Sequence, residues 1–185
     1  MRVAVAQIEP KLGEKERNLE ACLARLEAAA AAGAELLVLP ECAIPGYMFD
    51  SAAEALRFAE EIPGPSTEVL AAACRRLVVH VVCGLLEFDG EQLHNSAVLV
   101  GPDGLIGSYR KTHLPFLGVD RFTVPGDVLP GHGLRAHCNP RTGSDSASPR
   151  WLPASAPLAA THRPAAGAAA TSGGIIPEGA ECEGK

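Results

Sequence analysis

Apolar positions along this chain switch between two periods. Over Glu14–Ala32, the residues Leu19, Cys22, Leu23, Leu26 and Ala30 recur at helical spacing, and Gly33 supplies a natural stop. Leu36–Leu39 is instead a short continuous apolar run closed by Pro40, the pattern of a strand covered on both faces. Arg2–Ile8 alternates weakly and reads as a first strand. Ser51-Ala52-Ala53-Glu54 is a capping box that opens a short helix to about Glu61, where Pro63-Gly64-Pro65 breaks it. Ser66 or Thr67 then caps a helix running through Leu77. Val78–Phe88 is rich in β-branched residues and reads as a strand, followed by a turn at Asp89-Gly90. Asn95–Val100 and Leu105–Arg110 read as antiparallel partners across the tight turn Gly101-Pro102-Asp103-Gly104. Helices and strands are interleaved, so the expected class is α/β.

This pattern gives two charged residues a context. Glu41 follows directly on the strand that Pro40 ends, and Pro45-Gly46 turns the chain just beyond it. In open α/β sheets, ligands bind outside the carboxyl ends of the strands. A glutamate in that place is either a solvated loop residue or a general base half-buried against apolar neighbours. Lys111 likewise ends a strand, and Arg110-Lys111 reads either as a snorkelling basic pair or as one wall of a pocket shared with Glu41. In a shared pocket the ammonium would stabilise an oxyanion and the carboxylate would move a proton.

Beyond about residue 130 the character changes. Residues 1–130 carry 18 Asp/Glu against 11 Lys/Arg, whereas 131–176 hold four arginines and a single acid, Asp145, in a background of Ala, Pro, Gly, Ser and Thr. The chain therefore divides into a folded part, 1–130, and a low-complexity tail, 131–185, expected to be disordered or miscoded. The net charge of −6 argues against a nucleic-acid or anionic-membrane surface. No apolar run approaches a membrane span, and Met1–Gln7 has no signal-peptide core, so a cytoplasmic location is expected. The six cysteines form no C-x-x-C pair, and four lie in apolar helix or strand patterns, as reduced buried thiols do. His132 and His137-Cys138 lack a matching ligand pair, so no metal site is expected.

The wording of the motifs adds to this. Leu36-Leu37-Val38-Leu39-Pro40-Glu41-Cys42-Ala43-Ile44-Pro45-Gly46-Tyr47 resembles the glutamate motif of the nitrilase superfamily, the carbon–nitrogen hydrolases. Val3–Gln7, Gly64-Pro65-Ser66-Thr67, Gly84–Glu87, Asn95–Val98, Tyr109-Arg110-Lys111-Thr112-His113-Leu114-Pro115 and Phe122–Asp127 resemble further family segments in the same order. The resemblance implies an α-β-β-α sandwich, here incomplete after about residue 130, and a Glu–Lys–Cys triad. On that pattern Glu41 is the general base and Lys111 stabilises the tetrahedral intermediate, while a thiolate attacks a carbonyl or nitrile carbon. Tyr47, His113 and Asp120 are candidates for the substrate pocket, Asp120 standing nearest to a second acid that many members carry after the lysine. The implied substrate is a small amide, nitrile or carbamoyl compound, with no organic cofactor or metal. Family members form homo-oligomers, an assembly not expected here because part of the sandwich is missing.

The nucleophile is unassigned. The resemblance places it on a strand near Gly143–Pro149, which reads G-S-D-S-A-S-P. Cys138 has no apolar strand before it, and Cys83 reads as core. Cys42 is set aside because neighbours in an extended segment point to opposite faces. Pro177-Glu178-Gly179-Ala180-Glu181 again resembles the family, so a compensated frameshift across 131–176 accounts for the break. The expected result is an inactive hydrolase with an exposed apolar sheet edge. A non-catalytic small-molecule-binding or scaffold protein is the alternative.

Overall fold

The computed structural model describes residues 1–132; the expectations for the remainder of the tail, including Cys138, Cys182 and the Gly143–Pro149 window, lie outside them. Strand β1 (Val3–Val5) leads to helix α1 (Lys15–Ala31), strand β2 (Leu36–Val38), the short helix α2 (Ala52–Leu56) and helix α3 (Pro65–Leu77). Strands β3 (His80–Phe88), β4 (Leu93–Gly101) and β5 (Gly104–Arg110) follow, and a 3₁₀ turn spans Gly118–Arg121. The five strands form one sheet in sequence order. The β1, β2 and β3 strands run parallel, with helices in their crossovers, while β3, β4 and β5 form an antiparallel meander.

Local differences from the sequence reading have physical causes. Gly64, not Ser66 or Thr67, is the N-cap of α3; Pro65 takes the first helical position, where it forfeits no hydrogen bond. The Thr67 hydroxyl reaches back to accept from Gly64 N at 2.8 Å. Ser51 caps α2 by accepting from Glu54 N, but Glu54 returns its carboxylate to Asp50 N, and the helix stops at Leu56 rather than near Glu61. The segment after it turns so that Glu60 pairs with β3. Val78 closes α3 in the left-handed region at φ 56°, which delays β3 to His80.

One face of the sheet is the core. Cys22 and Leu26 of α1 and Leu70 and Cys74 of α3 pack on Leu37, Val81, Cys83 and Val98. Fully burying a leucine such as Leu26 or Leu70 stabilises by roughly 1.5–3 kcal/mol. The four described cysteines are free and buried, as their patterning implied. The register puts Val5, Val38 and Val82 together on the other face. There β1 borders the sheet among the described residues, with Val3 49% and Val5 80% exposed, so an apolar edge is left open.

Beneath the carboxyl end of β3, Glu87 is buried and bonded to Ser96 Oγ at 2.6 Å and to the Arg110 guanidinium at 2.5 Å. Glu60 similarly meets Lys15 at 2.5 Å and Ser66 N at 2.8 Å. Burial alone would raise both carboxyl pKa values, but these donors and cations outweigh it and hold them below the usual glutamate range. A folded pKa below the unfolded one means that the folded state binds fewer protons. The resulting stabilisation is fully present above the unfolded value of about 4.3 and is lost as pH falls through the lower folded values. Urea unfolding at a series of pH values is therefore expected to show a steep acid loss, shallower in Glu87→Gln, although that variant is less stable at neutral pH.

Candidate active site

The site forms where three strand ends meet a turn. β2 delivers Glu41, which opens a turn over residues 41–45. That turn lies directly on β3 because residue 84 is glycine: a Cβ there would stand 2.5 Å from Cys42 N and 2.7 Å from Glu41 Cα. The β4–β5 register places Ala97 opposite Tyr109, and Lys111 N continues the ladder by donating to Asn95 O at 2.8 Å. Side chains two residues apart share a face, so Asn95 and Lys111 project together on the face opposite the helices. Val82, Ala97 and Tyr109 line a cavity of about 340 Å³ there, rimmed by Glu41, Asn95 and Lys111.

Asp120 completes the cluster from outside the sheet. The 3₁₀ turn carries it inward, Gly118 at φ 55° providing close approach to Tyr47. Asp120 is fully buried. Lys111 Nζ lies 2.6 Å from Glu41 Oε1 and 2.6 Å from Asp120 Oδ2. Asn95 Nδ2 donates to Glu41 Oε1 at 2.6 Å and to Asp120 Oδ1 at 2.7 Å. The Tyr47 hydroxyl donates to Asp120 Oδ2 at 3.0 Å, and its ring lies under Lys111, 6.0 Å from Nζ to the centroid.

These charges set the protonation states. Partial burial pulls the Lys111 ammonium down, but hydrogen bonds and charge from Asp120 and Glu41 more than offset it, leaving the pKa well above the usual lysine value. Burial, then the hydrogen bond and charge of Asp120, push the Tyr47 phenol up to about 12. The Cys42 thiol is also pushed up, by burial first and then by the charges of Glu41 and Asp120. At neutral pH the cluster therefore holds a fixed ammonium and a neutral thiol.

The structure thus brings Glu41, Lys111, Asp120 and Tyr47 together. His113 stands outside the cluster, exposed, with Nδ1 2.9 Å from Thr112 Oγ1. Asp120, with its short side chain, reaches Lys111 Nζ because the 3₁₀ turn brings its backbone close. The reason given for setting Cys42 aside is corrected: its segment is a turn, with Cys42 at φ 47°, not an extended stretch. Its sulfur faces Asn95 Oδ1 at 3.6 Å. The sequence reading did not single out Asn95 or Gly84 as site residues. A glycine inside a strand pattern was the available signal for Gly84; for Asn95 only its strand-mate position relative to Lys111 could have served. No group of three or more His, Cys, Asp or Glu residues arranged to hold a metal occurs among the described residues.

A mixed five-stranded sheet covered on one face by helices defines an α/β fold, with a carboxylate–ammonium pair at its strand ends. The family model for carbon–nitrogen hydrolases matches residues 2–164, and the chain belongs to that family. It is 40% identical over 129 residues to a nitrilase of Pyrococcus abyssi, covering 69% of this chain and 49% of that one. It is 36% identical over 139 residues to the omega-amidase NIT2 of Danio rerio, covering 72% and 48%. A carbon–nitrogen hydrolase structure from Helicobacter pylori G27 superposes with a TM-score of 0.60 at 26% identity, covering 68% of this chain and 44% of that one. The chain spans about half the length of these relatives. Among the described residues no helix is long and apolar enough to cross a membrane.

Proposed function

We propose that this chain carries the acid–base half of a thiol-dependent carbon–nitrogen hydrolase site and lacks the nucleophile that would complete it. One observation carries the reading. Lys111 Nζ is held 2.6 Å from two carboxylates at the rim of a cavity, and none of the four described cysteines lines that cavity. In the complete reaction Glu41 would take the proton of an attacking thiol. Lys111 would stabilise the tetrahedral oxyanion, the amine would leave, and water would hydrolyse the thioester. Similarity to a nitrilase and an omega-amidase supports a small amide, nitrile or carbamoyl substrate.

This chain is expected to release no ammonia from a panel of short aliphatic amides and nitriles. Ammonia release abolished by iodoacetamide would overturn the missing-nucleophile reading. The gene sequence between the codons for Asp127 and Pro177 tests the cause. If no other frame encodes an apolar strand ending in cysteine, the frameshift is wrong. Correcting the frame is expected to restore iodoacetamide-sensitive hydrolysis. A corrected protein that binds an amide saturably but never turns it over would instead favour a binding role.

A further inference from the structure

Glu41, Lys111, Asp120 and Asn95 close into a ring whose bonding is unequal at Glu41. Its Oε1 accepts from both Lys111 Nζ and Asn95 Nδ2, at 2.6 Å each. Among the described residues no donor meets Oε2. Asp120, in contrast, is bound at both oxygens, by Asn95 on Oδ1 and by Lys111 and Tyr47 on Oδ2. An asparagine amide has two N–H donors, and here each faces a different carboxylate. Turned over, the same amide would set its carbonyl against two acceptors.

The two carboxylates select this orientation, and a further contact on the other side of Asn95 backs it. Cys42 Sγ is 3.6 Å from Asn95 Oδ1, and Cys42 is fully buried. A protonated thiol offers a donor to that oxygen. The left-handed backbone at Cys42 and the bare Cα of Gly84 beneath it bring the sulfur there.

We propose that Asn95 is a positioning residue for Glu41: its amide, held by the two carboxylates and backed by the Cys42 thiol, anchors Glu41 Oε1. The functional weight of that anchoring rests on Glu41 acting as the general base; the hold on Asn95 rests on geometry alone.

The test uses the full-length ¹⁵N-labelled chain and follows side-chain amide exchange by NMR. Both Asn95 amide protons are expected to exchange roughly tenfold or more slowly relative to the exposed Gln92 amide. Cys42→Ser keeps a donor and is expected to preserve that protection. Cys42→Ala is expected to speed both Asn95 protons roughly tenfold while leaving the buried Asn18 amide, bonded to Lys11 O and Ile44 O, unchanged. Glu41→Ala is expected to speed one Asn95 proton and spare the other, which stays on Asp120. Wild-type Asn95 exchanging as fast as Gln92 overturns the proposal without any variant. So does unchanged exchange in Cys42→Ala, or Asn95 and Asn18 accelerating together, which would report general loosening. These rates do not depend on turnover, so a failure here is distinct from a failure of the hydrolase reading in the ammonia assay.

Discussion

Lys111→Met is expected to destabilise the protein by about 3–5 kcal/mol, the cost of leaving a buried charge without its partner. Asp120 is fully buried, and Lys111 Nζ is the one cation bonded to it among the described residues. Methionine keeps the length of the side chain and removes the charge, leaving Asp120 only the Asn95 and Tyr47 donors. Against a typical total of about 5–15 kcal/mol, this loss is large. The control is Lys111→Met combined with Asp120→Asn. If the ion pair causes the loss, the double variant recovers much of it, and a double-mutant cycle by urea unfolding reads the coupling. Additive losses would show that Lys111 acts through packing alone. The pH dependence carries its own sign. The Lys111 pKa is raised on folding, so its contribution is fully present below the unfolded value of about 10.4 and is lost as pH rises through the folded value. The variant is therefore weaker across the neutral range.

Gly84→Ala is the second large effect, and it acts on the site through the backbone. The added methyl would stand 2.5 Å from Cys42 N, 2.7 Å from Glu41 Cα and 2.7 Å from Pro40 O. Those are main-chain atoms of the turn that carries Glu41, so no flexible side chain can yield. Overpacking of this kind costs about 1–3 kcal/mol, and more where the backbone resists. The turn is expected to lift from β3, lengthening Glu41–Lys111 and Glu41–Asn95 together. A lowered urea midpoint with faster exchange of the Asn95 side-chain amide is the expected pair of results. An alanine variant as stable as wild type would mean that the turn has more room than its contacts with β3 indicate.

The two variants mark where local sequence stops and three-dimensional arrangement begins. Strand β2 and its stop at Pro40 are legible because a short apolar run closed by proline has few other readings. Helix α1 is legible from its 3.6-residue period, and the β4–β5 hairpin from its Gly-Pro-Asp-Gly turn. Each depends on neighbours a few residues away. The choice of Glu41 and Lys111 followed from strand-end placement and from the resemblance, and the sheet register then joins residues 70 positions apart. Asp120 was named from its place after the lysine, but its reach depends on a 3₁₀ turn that no periodic pattern announces. The boundary shifts at Val78 and Leu56 are tertiary as well: one is a left-handed helix stop, the other a pairing of Glu60 with β3.

The linear order of residues determined the α/β class, the strand and helix succession, the buried reduced cysteines and the two charged residues at strand ends. Periodicity, turn chemistry and motif wording are properties of neighbouring positions, and they survive without a fold. Only the tertiary structure decided that Asn95 bridges two carboxylates, that Cys42 turns inward against it, and that Gly84 makes room for both. Those facts come from close approach between segments distant in sequence, set by the register of the sheet and by the space left where a side chain is absent.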